Sequence, residues 1–264
     1  MQEEFNFKKK FGQNFLKTDT ICHRMIDVSN IEKDSIVIEI GPGEGILTNL
    51  LLENKNVLKV IAYEIDTDLE DILIPKFSNN SKLDLIFDDF LNRNIKEDLK
   101  KYKYNKLYVI ANLPYYITTP IILKFINEDI DVFKIVIMIQ KEVAMRYSAK
   151  PNSKDYGSIT VFLNYYFNIN KEFIVSRNMF RPIPNVDSMV ISLNKKDRLK
   201  VNNKDLFFKL VKDSFKFKRK TLRNNLKEYD LNNVSKVLSK YNMDLTIRAE
   251  DIPLEVFIDI SNNL

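Results

Sequence analysis

Apolar and polar positions fall into short blocks whose period changes repeatedly over the first two thirds of the chain. Ile36-Val37-Ile38-Glu39-Ile40 is a brief apolar run. Gly41-Pro42-Gly43-Glu44-Gly45 follows it, and then Ile46 to Leu52. That succession predicts strand, tight loop and helix. Val57 to Tyr63 predicts a second strand that ends at Glu64, and Asp66 to Phe77 has helical apolar spacing. Leu83 to Phe87 predicts a third strand, closed by Asp88-Asp89. Leu107 to Ala111 predicts a fourth, followed by Asn112-Leu113-Pro114-Tyr115. Thr118 to Asn127 predicts a helix with Thr118 or Thr119 as cap and Pro120 in its first turn. Phe133 to Ile139 predicts a fifth strand and Lys141 to Ser148 a helix. Later strands are predicted over Ile159 to Phe167, Met189 to Leu193 and Phe173 to Ser176.

Strands alternating with helices over about 150 residues indicate βαβ units and a mostly parallel sheet. Such sheets bind ligands beyond the carboxyl ends of their strands. The glycine loop, Glu64, Asp89 and Asn112 all fall at such ends. After about residue 200 the strand signal stops. Asp205 to Phe217, Thr221 to Lys227, Leu231 to Tyr241 and Leu254 to Ile260 are amphipathic helical segments. The expected division is therefore an α/β domain over residues 1–198 and a small helical domain over 199–264.

Composition narrows the chemistry. The 264 residues are 45% hydrophobic and 29% charged, which is ordinary globular composition. One cysteine (Cys22) and one histidine (His23) leave no cysteine-cluster metal site and no chemistry that needs two histidines, so no metal is expected. No apolar run reaches the roughly 18–20 residues of a membrane span. The first residues show no secretory pattern, so a cytoplasmic, soluble protein without a membrane partner is expected. Lys and Arg total 41 against 36 for Asp and Glu, a net charge of +5. The excess is clustered: Lys8 to Lys10 near one end, and Lys216, Lys218, Arg219, Lys220, Arg223 and Lys227 near the other, each beside phenylalanines. Basic, aromatic clusters of this kind suit a nucleic-acid partner.

Three of the five glycines lie within five positions. A loop without side chains lets a ligand approach the backbone closely. Glu64, about 20 residues on at the end of the second strand, can accept both hydroxyl protons of a ribose, as in NAD or S-adenosylmethionine. Asp89 can accept from an adenine amino group or cap a turn; the sequence leaves both open. Asn112-Leu113-Pro114-Tyr115 is the most specific element. The 6-amino nitrogen of adenine is a poor nucleophile because its lone pair is delocalised into the ring. Two acceptors on its two hydrogens, the Asn112 side-chain oxygen and a backbone carbonyl held by Pro114 (that of Leu113), would favour a pyramidal nitrogen. Tyr115 offers an aromatic face to an extruded base. No general base is needed beforehand, since the proton becomes acidic once the nitrogen is alkylated.

Taken together, the chain resembles the rRNA adenine dimethyltransferases, and their housekeeping small-subunit branch most of all. The resemblance rests on KFGQNFL at 10–16, EIGPGEG at 39–45, NLPYYITTP at 112–120, QKEVAMR at 140–146 and DYGSITV at 155–161. It continues through FRPIPNVDS at 180–188, FKFKRKTLRNNL at 215–226 and RAEDIPLEVF at 248–257. It implies a class I S-adenosylmethionine-dependent methyltransferase fold: a Rossmann-like, mostly parallel seven-stranded sheet flanked by helices, followed in the chain by a small C-terminal all-helical domain. It implies that Asn14 and Leu16 close over the cofactor, that Gly41 and Gly43 lie against it, and that Glu64 binds its ribose. Asp89 would bind the cofactor adenine, and Asn112 both cofactor and target. Tyr115 and Phe180 would sandwich the target adenine. Lys9, Lys10, Lys218, Arg219, Lys220 and Arg223 would bind rRNA phosphates. The implied reaction dimethylates two adjacent adenosines in a hairpin loop near the 3′ end of small-subunit rRNA, within an immature small subunit, with the enzyme a monomer. Three other readings compete. One is a large-subunit rRNA dimethyltransferase of the macrolide-resistance type. Another is a ribosome-assembly factor whose catalysis is secondary. The third is an NAD-dependent oxidoreductase, which leaves Asn112 to Tyr115 and the basic segment without a role.

Overall fold

The structure, a computed structural model, describes residues 14–114 and 117–264. The elements begin with β1 (Phe15–Leu16), α1 (Thr20–Ser29), β2 (Ser35–Ile40), α2 (Ile46–Glu53) and β3 (Val57–Glu64). They continue through α3 (Glu70–Phe77), β4 (Leu83–Phe87), α4 (Ile95–Lys100), β5 (Leu107–Asn112), α5 (Thr118–Asn127) and β6 (Lys134–Gln140). Next come α6 (Lys141–Tyr147), α7 (Ser158–Tyr166), β7 (Phe167–Val175), β8 (Phe180–Arg181) and β9 (Ser188–Lys195). Four helices close the chain: α8 (Lys204–Ser214), α9 (Leu222–Asn225), α10 (Leu231–Lys240) and α11 (Leu254–Asn262).

Seven strands form one sheet in the order β4-β3-β2-β5-β6-β9-β7. The neighbours from β4 to β6 are parallel, and β9 runs antiparallel to β6. Every residue of β2 is buried, as a strand covered on both faces requires, which is why its sequence reads as a continuous apolar run. The chain winds outward from β2 in two directions, to β3 on one side and to β5 on the other. Ile36–Ile38 of β2 sit beside Leu107–Val109 of β5. This reversal of strand order opens a crevice at the carboxyl ends of β2 and β5. The architecture is the expected Rossmann-like sheet of seven mostly parallel strands.

The chain divides into two compact units. One runs to Ala144 and takes up Asn170–Asn194; the other joins Met145–Ile169 to Lys195–Leu264. The expected boundary at 198/199 differs from this division, because segment 145–169 goes with the helical unit. The reason lies in α7. The expectation of a strand over Ile159 to Phe167 is overturned, since Ser158–Tyr166 is helical. Its β-branched and aromatic residues favour a strand locally, but tertiary packing decides otherwise. Val161 and Tyr165, four residues apart, share one buried face of the helix. Tyr165 meets Phe207 at 5.3 Å between ring centroids, and Phe162 meets Phe208 at 4.5 Å. The Gly157 N–H donates to Thr160 Oγ1 at 3.2 Å and so fixes the first turn. The core of this unit gathers Val161, Tyr165, Phe207, Leu210, Leu222, Val237 and Phe257.

Candidate active site

Gly41 follows β2 directly. Its N–H donates to the Tyr63 carbonyl at 2.9 Å, which continues the parallel ladder one residue past the strand. Gly41 and Gly43 have φ of +71° and +58°, a region that side chains rarely enter. Nothing lies within 4 Å of where a Cβ on Gly41 would stand, so the loop faces open space there. At Gly43 a Cβ would fall 2.6 Å from the Phe15 ring.

The next strand end supplies the carboxylate. Glu64 is 4% exposed. Its Oε2 accepts from the Gly43 N–H at 3.2 Å and its Oε1 from the Asp66 N–H at 2.9 Å. Burial raises its pKa above the ordinary carboxylate value, and the two N–H groups oppose that rise. Strand end and glycine loop are thus tied through one side chain.

At the end of β4, Asp89 caps a 3₁₀ turn over Phe90–Asn92. Its Oδ1 accepts from the Leu91 N–H at 2.9 Å and its Oδ2 from Asn92 Nδ2 at 3.0 Å. The turn role left open by the sequence is therefore realised, and each oxygen keeps a further lone pair for a ligand. Behind it, Arg93 forks onto Asp98 at 2.9 and 3.0 Å, and the buried Tyr63 hydroxyl donates to the same carboxylate at 3.0 Å. This network holds the β4 end against β3.

Asn112 ends β5. Its Nδ2 donates to the Asn14 carbonyl at 3.3 Å, which leaves Oδ1 as its acceptor. The Leu113 N–H donates to the Met138 carbonyl at 3.2 Å. The Pro114 carbonyl accepts from the Ile117 N–H at 3.3 Å and from Thr118 Oγ1 at 3.4 Å, so it is already occupied. Tyr115, the remaining member of the motif, lies outside the described residues.

A cleft joins these parts. Asn14, Gly41, Gly43, Glu64, Asp89, Asn112, Leu113 and Pro114 line it, with Phe15, Ile40, Ile65 and Phe90 among its apolar walls. Its few convergent polar groups set among apolar walls suit a small-molecule site. Leu16 lines a smaller neighbouring cavity that shares Gly41, Gly43 and Asn112 with the cleft. That cavity also contains Glu39, to which the sequence reading gave no role. Glu39 is 1% exposed, and burial pushes its pKa up to about 8. Among the described residues its Oε2 has no hydrogen-bond partner. The signal available in the sequence was an acid set in an otherwise apolar strand, Ile38-Glu39-Ile40.

Phe180 lies in the core. It is 1% exposed, pairs with Leu16 across β1 and β8, and belongs to the core of the first unit. It lines neither cavity. Lys218, Arg219, Lys220 and Arg223 are exposed in the second unit, around the start of α9. Lys9 and Lys10 lie outside the described residues. No cluster of three or more His, Cys, Asp or Glu placed to hold a metal occurs among the described residues. No helix among them is long and apolar enough to cross a membrane.

Comparison with known proteins gives a consistent picture. The pattern of the family described as "Ribosomal RNA adenine dimethylase" matches residues 4–264. The chain is 42% identical to "Ribosomal RNA small subunit methyltransferase A" of Fusobacterium nucleatum, over 97% of each chain. Among solved structures it resembles a dimethyladenosine transferase from Plasmodium falciparum, with TM-score 0.78 and 26% identity, covering 93% of this chain and 95% of that one. It also shares the fold of the 23S rRNA methyltransferase ErmE, with TM-score 0.74 and 23% identity over 95% of this chain and 99% of that one.

Proposed function

The chain belongs to the ribosomal RNA adenine dimethylase family, and on that premise we propose that it dimethylates two adjacent adenosines in a hairpin loop near the 3′ end of small-subunit rRNA. The observation that carries this reading is the position of Asn112-Leu113-Pro114 at the end of β5, on the same cleft as the glycine loop and Glu64.

The methyl donor is S-adenosylmethionine, which supplies an electrophilic methyl group. The residues present fit it. The open space before Gly41 admits a ligand close to the backbone. The buried Glu64 carboxylate is held at the mouth of the loop, where it accepts from ribose hydroxyls. An ammonium group such as the donor's would give the unpartnered Glu39 oxygen a donor and favour ionisation of that buried carboxyl. Asp89 and the apolar Ile65 flank the place for an adenine ring. Asn14 and Leu16 close the cleft from the chain's beginning.

The target amino group is held by two acceptors. Asn112 Oδ1 is one. With the Pro114 carbonyl already accepting two hydrogen bonds, that of Leu113 is the other. Both draw on the N6 hydrogens and favour a pyramidal nitrogen whose lone pair faces the incoming methyl. The departing proton leaves the alkylated nitrogen for water. Stacking of the target base rests on Tyr115, while Phe180 supports the β1–β8 pairing from the core. Residues from about 199 onward carry the rRNA-binding surface, where Lys218, Arg219, Lys220 and Arg223 hold phosphates and so position the enzyme rather than select a base. The substrate is the immature small subunit, and the enzyme acts on it as a monomer in the cytoplasm.

Labelled S-adenosylmethionine offered with unmethylated small subunits, free small-subunit rRNA and protein-free large-subunit rRNA tests the assignment. Dimethyladenosine is expected with small subunits. Its appearance in large-subunit rRNA instead would move the chain to the other rRNA substrate. The fold does not discriminate the two substrates, because the 23S enzyme shares it.

A further inference from the structure

We propose that Phe217 is a stacking platform: its ring takes an unpaired base of the ribosomal RNA, while the cations beside it hold the adjoining phosphates. The proposal rests on the reading of the chain as an rRNA-modifying enzyme and adds a positioning residue to it.

Phe217, at 55% exposure, is the most exposed aromatic side chain among the described residues. It sits between α8 and α9 in the run Phe215-Lys216-Phe217-Lys218-Arg219-Lys220. The two phenylalanines of this run have opposite fates. Phe215 turns inward, with its ring 5.9 Å from that of Phe257 and 6.0 Å from that of Tyr156. Phe217 turns outward although apolar surface left in water forgoes the stabilisation of burial.

The backbone that carries Phe217 is pinned. Its N–H donates to Asn225 Oδ1 at 3.1 Å, and its carbonyl accepts from the Lys220 N–H at 2.9 Å and from Asn225 Nδ2 at 3.3 Å. The same Nδ2 donates to the Ser214 carbonyl at 2.7 Å. One asparagine of α9 therefore anchors both the end of α8 and the loop beyond it. The ring is presented from a fixed point, which lowers the ordering cost of any contact it makes.

The surroundings select the partner. Lys216 Nζ lies 5.7 Å from the ring centroid, and Lys218, Arg219 and Lys220 follow in sequence, all exposed. Lys218 and Lys220 line a small cleft together with Lys154, Asn225 and Glu250. The cores of protein–protein interfaces are depleted in lysine, so a single ring among lysines is a poor protein-docking face. An aromatic face flanked by cations is the arrangement that binds single-stranded nucleic acid, with the base on the ring and the phosphates on the ammonium groups. Stacking of this kind tolerates any base, so Phe217 positions the RNA and does not specify its sequence.

The chain contains no tryptophan, so Phe217→Trp introduces a single tryptophan, which can be excited apart from the tyrosines. Titrating F217W with a protein-free small-subunit rRNA transcript is expected to quench its emission by at least half at saturation. On unmethylated small subunits, Phe217→Ala is expected to raise KM about 5- to 150-fold with kcat within about twofold. F217W and F217Y should restore KM, and F217L should not. The salt dependence of binding should be unchanged in F217A. Unchanged emission at saturating RNA would overturn the proposal. So would an F217L variant with the parent KM, because that would place the ring against an apolar protein surface. The quenching titration needs no turnover, so an unquenched F217W in a protein that still makes dimethyladenosine removes the stacking role alone. Absence of dimethyladenosine from every rRNA would instead remove the function it rests on.

Discussion

The two compact units solve opposite electrostatic problems. The crevice at the ends of β2, β3 and β5 puts carboxylates out of water: Glu39 and Glu64 are 1% and 4% exposed. The loop between α8 and α9 keeps its cations in water and spends its hydrogen bonds on the backbone instead. Desolvation strengthens each contact to a small ligand and makes an unpaired group costly. Phosphate binding needs the reverse, since exposed cations act at a distance and release counterions when they bind. On the proposed function, one unit is expected to be sensitive to single atoms, and the other to the sum of its charges.

That contrast can be tested in order of expected effect. Phe180→Ala is expected to cost about 3–5 kcal/mol of stability, as for a large aromatic removed from a core. Denaturant titration would show it, and a loss below about 1 kcal/mol would mean that the ring is not a packing residue. Asn112→Ala is expected to lower kcat about 10²–10³-fold, the usual size for one oriented group in a reacting centre. Its melting temperature should stay near the parent value, whereas a collapse in stability would make Asn112 structural. Glu39 should shape the pH dependence of stability. Folded, it keeps its proton up to about pH 8, against 4.5 for the ordinary side chain. The stability it contributes is thus fully present below about pH 4.5 and is lost as pH rises through 8. The loss is on the order of 5 kcal/mol, spread over that window at up to about 1.4 kcal/mol per pH unit. Glu39→Gln should flatten that fall, as followed by unfolding at pH 5, 7 and 9; an unaltered pH profile would show that Glu39 is ionised in the native state. The smallest effects belong to the other unit. Lys218→Ala and Arg219→Ala should each lower the slope of log affinity against log salt by about 0.7–0.9, with cofactor binding untouched. A slope equal to that of the parent would place those cations off the RNA.

Legibility in the sequence followed the same divide between local and distant causes. The glycine loop, Glu64 and Asn112 were readable because strand ends and turns are encoded by neighbours in sequence, and parallel topology then brings them to one crevice. Glu39 passed unnoticed because its meaning lies in what fails to meet it. Helix α1 went unread, although Ile21, Cys22 and Met25 form its buried side. The two-residue strands β1 and β8 are too short to leave a period, and they exist only as partners of each other. Helix α7 was mistaken for a strand because Val161, Phe162, Tyr165 and Tyr166 have strand propensity, while their neighbours across the core lie some 40 residues away. Phe180, expected from its motif to face the target base, is 1% exposed, a burial that the motif alone does not reveal.

The interleaving of the two units bears on how such enzymes can be recombined. The helical unit draws α7 from the middle of the chain, and Val161 and Tyr165 are part of its core. Cutting at the single late crossing would yield a C-terminal fragment lacking one wall, with Phe207 and Phe208 stripped of their ring contacts to Phe162, Tyr165 and Tyr166. Grafting this unit onto a relative therefore takes three junctions, at Ala144/Met145, Ile169/Asn170 and Asn194/Lys195. A single-crossover chimaera made near residue 198 would bring together a helix and a core from different parents. Its solubility would report how well those two had drifted in step, before any question of substrate choice arose.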